Sequence, residues 1–446
     1  MKRLVLCFDG TWNAVADPKT VTNVVRIANT VSLRGPDGTD QICYYNSGVG
    51  SGGPLDRFLG GAFGMGLKSN VKRGLAFLAL NYQKDDEIYL FGFSRGAYTA
   101  RALAGVLGVA GIPLDISRSE VHWDHYRQIA KLSSGIRGRD ENAPKVKAAQ
   151  AEIDALKKKL RAISNYQPEE VPITCIGVFD TVGAYGVPSG LGLSALPHLF
   201  TYWTRAFRTT HIGDGIRLAL HAVAIDEMRR PFFPTFWTRP VDKQLAAAQE
   251  VEQMWFAGVH SNVGGGYDNC GLSDLALGWM ISRVRDKTSL HFDHSELLAT
   301  IWPCSAGTLY RTSRSKYFTR VRDILPDASE TMTVRALRAM KRYFSGGRRI
   351  GRTRVNEHVH WSVAERCGWP AALVDGAGPQ KYAPANLRGN LKEFSKPTAL
   401  ELELIDRRRE GWDANCPLKA AKMKCQCDTR KRLDAPAEES PPQVAA

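Results

Sequence analysis

One short stretch constrains the fold of this chain more than any other. The apolar segment Glu87–Phe93 runs into Gly92-Phe93-Ser94-Arg95-Gly96, and a helical pattern follows from Ala97. A strand, then Gly-x-Ser-x-Gly, then a helix is typical of a nucleophile elbow, a sharp turn that exposes a serine at its tip. The glycines are needed because side chains there would clash with the neighbouring strand and helix. Ser94 is therefore the candidate nucleophile.

Short apolar runs that end in polar or glycine-rich residues recur along the chain and predict buried parallel strands. They are Leu4–Phe8, Glu87–Phe93, Thr174–Phe179 and Trp255–Val259, with Ala219–Ile225 as a fifth segment that could also be a buried helix. Helical patterns such as Val71–Asn81 and Gly96–Leu107 lie between them. This alternation predicts an α/β-hydrolase-like fold, with a mostly parallel sheet covered by helices on both faces.

A nucleophilic serine needs a general base, and His260 is the best-placed histidine. It ends the apolar run Trp255–Val259 and opens a glycine-rich loop, where a triad histidine must lie to reach the serine. In this fold the chain order is serine, then acid, then histidine, and His260 follows Ser94 as that order requires. His211 and His221, near the fifth apolar segment, are its competitors.

Two aspartates compete for the role of the triad acid. Asp226 ends the last predicted strand before that of His260, the usual location of the acid in this fold. Asp180 ends Thr174–Phe179, one strand earlier, where some hydrolases place it. Either residue could instead be a helix N-cap, for which aspartate is common. The sequence leaves the choice open.

Two backbone regions are candidates for the oxyanion hole. The N–H of Arg95 starts the helix after the elbow and would point at the developing negative charge. A second donor could come from the turn at Gly10 and Thr11, which follows the first strand. The alternative for that turn is an ordinary connection with Asp9 as its cap.

The core is expected over residues 1–290, with a polar, helix-favouring insertion at 114–170. The insertion could form a cap over an active site or a surface helical hairpin. Residues 291–427 form a basic C-terminal region that partly closes the hydrolase domain. Within it, Arg311 to Arg354 hold 13 Lys and Arg against three Asp and Glu. Residues 428–446, rich in Pro, Ala and Glu, are predicted to be a disordered tail.

The net charge of +15 favours polyanionic surroundings such as an anionic membrane surface, nucleic acid or phosphate-bearing substrates. Nine cysteines without a framework spacing indicate reduced thiols. No signal peptide is visible, because Asp9 stops the first apolar run far short of a secretory core segment. We expect a chain that is cytoplasmic at synthesis, with export by another route left open.

Several motifs together resemble a bacterial α/β-hydrolase family, formerly a domain of unknown function, that includes the catalytic domain of type VI secretion phospholipase effectors. They are Cys7–Asn13, Gly92–Arg101, Gly177–Gly183 and Gly258–Tyr267, in that order. The later segments His358–Val363 and Tyr382–Leu387 are similar to the family's closing part, which would extend the hydrolase domain to about residue 390. The resemblance implies a Ser–Asp–His triad and cleavage of esters in phospholipids.

The sequence thus predicts a serine esterase, phospholipase A-like, that needs no cofactor and no metal. Its expected partners are a phospholipid or membrane surface and, by analogy with effectors, an immunity protein; nucleic acid is not expected. A hydrolase of small soluble esters or peptides is the first alternative. The second, from another class, is a basic nucleic-acid-binding protein built on an inert hydrolase fold.

Overall fold

The structure is a computed structural model. It describes residues 1–10, 21–48, 61–136, 139–182, 212–227, 229, 232–239, 248–310, 353–354, 356–368, 372–374, 378–380, 382 and 394–406. The predicted basic segment from residue 311, except Arg354 and its neighbour Thr353, and the predicted tail 428–446 lie outside these residues.

A seven-stranded parallel sheet forms the centre of the molecule. Its strands are β1 (Arg3–Phe8), β2 (Gln41–Asn46), β3 (Glu87–Phe93), β6 (Ile173–Phe179), β7 (Ile216–Ala224), β9 (Glu250–Phe256) and β11 (Glu357–Val359). Their spatial order is β11-β9-β7-β6-β3-β1-β2, and every neighbouring pair is parallel. The predicted mostly parallel sheet is confirmed.

The central strands are buried along almost their whole length, which explains their continuous apolar sequences. The edge strands β2 and β11 carry partly exposed residues and more polar sequence, so the apolar-run criterion did not find them. The fifth apolar segment, for which the sequence allows a strand or a buried helix, is strand β7. β9 ends at Phe256, because Ala257, Gly258 and Val259 already form the turn to His260.

Helices cover both faces of the sheet, as predicted. They are α1 (Asn23–Thr30), α2 (Gly61–Asn81), α3 (Arg95–Ala110), α4 (Ser119–Ile136), α5 (Pro144–Ala162), α6 (His260–Gly264), α7 (Gly271–Lys287), α8 (His294–Thr300) and α9 (Trp361–Gly368). One apolar core includes side chains of α2, α3, α4 and α5, and a second includes those of α1, α7 and α8. Burial of these two cores on opposite faces holds the sheet in place.

The insertion 114–170 folds as an antiparallel pair of helices, α4 and α5, and α4 contacts both α2 and α3. The short strands β4 (Ile112–Pro113) and β5 (Ser164–Tyr166) pair at its base, next to the 3-10 turns Ile116–Arg118 and Pro168–Glu170. Buried Val146, Ile153, Leu156 and Leu160 form the apolar stripe of α5. These contacts show a helical hairpin on the helix layer; a role as a cap stays a prediction.

Chain beyond residue 290 adds a strand to the sheet and side chains to one of its cores. β11 is the seventh strand of the sheet and pairs with β9. The helical segment 399–406 adds Leu400, Leu404 and Ile405 to the core beneath α7. Two small antiparallel strand pairs are separate from the main sheet: β8 (Thr238–Arg239) with β10 (Thr353–Arg354), and β12 (Ala372–Val374) with β13 (Gly378–Gln380).

Candidate active site

Ser94 occupies a sharp turn between β3 and α3, as its motif predicts. Its backbone has φ 57° and ψ −117°, a strained conformation for a residue with a side chain. A Cβ at Gly92 would lie 2.6 Å from the Cα of Ala97, and one at Gly96 would collide with the carbonyl of Phe8. Both glycines are therefore required by the close approach of β3, α3 and β1. The turn leaves Ser94 9% exposed.

His260 is the first residue of α6 and lies just beyond the end of β9. Its Nδ1 is 2.6 Å from Oδ2 of Asp180, and its ring centroid is 4.6 Å from that of Phe93, the residue before the nucleophile. Beside an ionised carboxylate Nδ1 carries the proton, which leaves Nε2 as the acceptor. Nε2 makes no hydrogen bond within the part of the chain that the structure describes.

Asp180 lies directly after β6 and is completely buried. Its φ is 37°, and its own N–H donates to the carbonyl of Ala222, while Oδ1 accepts from the N–H of Ala224 at 3.1 Å. The carboxylate is thereby oriented with Oδ2 towards His260. The Ser94 N–H donates to the carbonyl of Phe179, so the nucleophile turn and the acid are joined through adjacent residues.

Asp226, the other candidate acid, has different partners. Its Oδ2 accepts from the N–H of Gly258 at 2.7 Å and from the hydroxyl of Tyr382 at 2.8 Å. Burial raises the pKa of Tyr382 well above its ordinary value, so this hydroxyl stays a donor. Gly258 has φ 123° and begins the turn that leads to His260. Asp226 therefore fixes the backbone before the histidine, and Asp180 contacts its ring.

Three residues that the sequence did not single out also surround His260. Glu227 accepts the His260 N–H at 3.3 Å and holds Arg229 through Nε at 2.9 Å and Nη2 at 2.8 Å. Although burial opposes it, this pairing keeps the pKa of Arg229 above its ordinary value. The guanidinium carbon lies 3.7 Å from the ring centroid of Phe232, which in turn packs against His260. Only their position after Asp226 could have drawn attention to them.

The two predicted regions of the oxyanion hole differ in the hydrogen-bond partners of their backbone N–H groups. Arg95 is the first residue of α3, where backbone N–H groups have no partner within the helix. Gly10 donates its N–H to its neighbour, Oδ1 of Asp9, at 2.6 Å. Asp9 also accepts from Thr22 and Tyr45, so the Gly10 N–H has an acceptor within a buried network, and its role in the oxyanion hole stays a prediction. Thr11 lies outside the described residues.

His221, a competitor of His260, is completely buried within β7. Its Nε2 accepts the N–H of Thr181 at 3.1 Å and its Nδ1 faces Gln253, so both ring nitrogens hold structure together. His211 falls outside the described residues.

Over the described ranges there is no group of three or more His, Cys, Asp and Glu placed to hold a metal ion. No helix in these ranges is long and apolar enough to cross a membrane.

Comparison with known proteins identifies the family of the catalytic domain. Residues 2–283 match the model described as "T6SS, Phospholipase effector Tle1-like, catalytic domain". An uncharacterized protein of Saccharomyces cerevisiae, YEL023C, is 28% identical over 254 residues, which cover 52% of this chain and 32% of the yeast protein. The chain thus spans about a third of the length of that relative.

Among solved structures, an uncharacterized protein from Pseudomonas aeruginosa aligns with a TM-score of 0.38 and 18% identity. The alignment covers 66% of this chain and 47% of that one.

Proposed function

The chain belongs to the Tle1-like phospholipase effector family by its catalytic domain, and from this premise we propose that it is a phospholipase A-like serine hydrolase with Ser94, His260 and Asp180 as its triad. Family membership supports an enzyme of the lipase and esterase kind. The observation that carries the triad is the 2.6 Å contact of Asp180 with His260, beside the strained elbow of Ser94. Asp226 is assigned the supporting role of holding the Gly258 turn.

The proposed reaction is acyl transfer through an acyl-enzyme. His260 Nε2 takes the proton of the Ser94 hydroxyl while Oγ bonds to the ester carbonyl carbon. Asp180 orients the imidazole and stabilises its positive charge. The N–H of Arg95 donates to the oxyanion. The proton then passes from Nε2 to the departing alcohol oxygen as the ester C–O bond breaks.

Water completes the cycle by the same path. It gives a proton to His260 Nε2 as its oxygen attacks the acyl carbon, and the bond from that carbon to Ser94 Oγ breaks with return of the proton to Oγ. The products are a fatty acid and a lysophospholipid. Each step uses only the three triad side chains, the backbone N–H of Arg95 and water.

Phospholipid is the substrate class that family membership supports, and the choice of acyl position and head group goes beyond it. Action at a membrane surface after export from the cytoplasm, and neutralisation by an immunity protein, follow from the effector family and belong to this proposal. The family match covers residues 2–283, so export and neutralisation are proposed for the protein as a whole and are not attributed to that domain.

Release of fatty acid from phosphatidylglycerol vesicles tests the proposal, with a dispersed short-chain ester assayed in parallel. We expect the wild type to hydrolyse lipid and Ser94→Ala to lose at least about a thousandfold in rate. Ser362→Ala is the matched control, because Ser362 is also a buried serine beside a histidine, in α9, and should keep its rate.

Three other outcomes are informative. Hydrolysis of the short ester alone would keep the triad and remove the phospholipase assignment. Equal loss in both variants would contradict the assignment of Ser94. Inactivity of the folded wild type on both substrates, with steeply salt-dependent binding to DNA, would favour a nucleic-acid-binding protein on an inert fold.

A further inference from the structure

Arg95, next to the nucleophile, is a half-buried arginine that has no partner among the residues the structure describes. Its side chain makes no hydrogen bond, ion pair or ring contact to the described residues. Burial lowers its pKa to about 10, so at neutral pH it remains a cation in a poorly solvated place. A charge in such surroundings is costly unless a counter-charge accompanies it.

Other arginines of the protein show what is missing at Arg95. Arg26 is paired with Asp274 and Arg283 with Glu252. Arg366 and Arg101, whose pKa values burial also lowers, both donate to backbone carbonyls: Arg366 to Ser305 and Gly307, Arg101 to Thr235 and Phe236. Over the described ranges, the Arg95 side chain has neither a carboxylate nor a backbone carbonyl as acceptor.

The location of Arg95 indicates where its acceptor would come from. Arg95 is the first residue of α3, and helical side chains lean towards the N-terminus of their helix. This lean directs Arg95 towards the carboxyl ends of the strands, the edge at which Ser94 and Asp180 lie. Open α/β sheets bind their ligands at that edge. The missing acceptor is therefore expected on a bound molecule.

We propose that Arg95 binds the phosphate of a phospholipid and so selects phospholipids over neutral esters. This inference rests on the proposed function, since it names a group of that same substrate. A guanidinium is suited to the task because it stays charged and offers paired N–H donors to phosphate oxygens. Its backbone N–H would meanwhile serve the oxyanion, so one residue would contact the substrate at two points.

The test compares two lipids with the same acyl chains, dioleoyl phosphatidylglycerol and the neutral dioleoylglycerol, in the same mixed micelles. The readout is the ratio of their kcat/KM values. We expect Arg95→Met to lower this ratio about ten- to a hundredfold, the effect of one hydrogen bond to a charged group. Arg95→Lys, which keeps the charge but loses the paired donors, should fall between.

Arg101→Met is the matched control. Arg101 lies on the same helix and is also desolvated, but its donors are used by carbonyls of the protein. We expect this variant to lose stability and to keep the wild-type ratio. An unchanged ratio in Arg95→Met, or an equal loss on both lipids, would overturn the inference and assign Arg95 a role in folding or in the oxyanion hole alone.

A binding arm separates this inference from the proposed function. An ether-linked phosphatidylglycerol has no ester to cleave, so its affinity for Ser94→Ala and for Ser94→Ala with Arg95→Met can be measured whether or not the wild type is active. A tenfold weaker affinity without Arg95 supports the phosphate contact even if the esterase proposal fails, and equal affinities contradict it. Competition by inorganic phosphate in the same experiment would indicate a free-phosphate site in place of a lipid one.

Discussion

Two buried histidines of this protein have nearly the same surroundings. Nδ1 of His260 lies 2.6 Å from Asp180, and Nε2 of His360 lies 2.7 Å from Glu401. Each ring also packs on a phenylalanine, with centroid distances of 4.6 Å to Phe93 and 4.4 Å to Phe256. A serine accompanies both: Ser94 near His260, and Ser362 at 2.8 Å from His360.

The two histidines differ in how many of their ring nitrogens have a hydrogen-bond partner within the protein. His360 uses both ring nitrogens within the protein and is completely buried. Glu401 accepts further hydrogen bonds from Trp361 and Thr398, so this cluster joins α9 to the segment 399–406. Nε2 of His260 lies at the carboxyl edge of the sheet and has no hydrogen-bond partner in the described part of the chain. A histidine–carboxylate pair therefore indicates catalysis only where one nitrogen and a strained serine remain available.

The largest expected effect concerns the acid beside His260. Asp180→Asn should lower kcat about ten-thousandfold, because the neutral amide no longer holds the imidazole in the required tautomer. Asp226→Asn should cost less than about tenfold, since an amide oxygen still accepts from Gly258 and Tyr382. Steady-state rates and melting temperatures of both variants measure this. A reversed order would make Asp226 the triad acid.

The sequence was informative where a feature is local. The elbow around Ser94 and the position of His260 at a strand end follow from short motifs, and both are found as expected. The choice between Asp180 and Asp226 is different, because both aspartates end a strand and both contact the turn or ring of His260. Only the alignment of neighbouring strands, which pairs Phe93 with Phe179, brings Asp180 to the level of the nucleophile.

Other features were missed because they depend on distant parts of the chain. The sequence did not reveal that the Gly10 N–H donates to Asp9, whose carboxylate is fixed by Thr22 and Tyr45. β11 lies about a hundred residues after β9 in sequence and is short and polar, so no periodic pattern reveals that it extends the sheet. Arg229 is visible only through its contacts with Glu227 and Phe232.

The second prediction tests the other side of the comparison. Glu401→Ala should destabilise the fold by about 3–5 kcal/mol, because it removes the buried carboxylate that pairs with His360 Nε2 and accepts from Trp361. The rate of ester hydrolysis per folded molecule should stay within about threefold of the wild type. Urea unfolding and the specific rate at saturating substrate measure the two effects. A large loss of rate in a stable variant would bring His360 into the chemistry and remove the contrast.

A third buried histidine, His122, has no carboxylate partner among the described residues and so extends the comparison. His122 in α4 contacts the hydroxyl of Ser164 and the carbonyl of Arg118, and burial lowers its pKa to about 4. In the unfolded chain its pKa returns to its ordinary 6.5, so between these values the unfolded state binds more protons. Stability is therefore lost as the pH falls from about 6.5 towards 4.

From pH 7 to pH 5 this single group should cost about 2 kcal/mol of unfolding free energy. His122→Gln removes the titration, so its stability should depend less on pH over that range although it is lower at pH 7. Urea unfolding at both pH values measures the difference, and hydrogen exchange in α4 locates it. If the unfolding free energies of wild type and His122→Gln change equally with pH, then folding does not shift the pKa of His122, and the prediction is wrong.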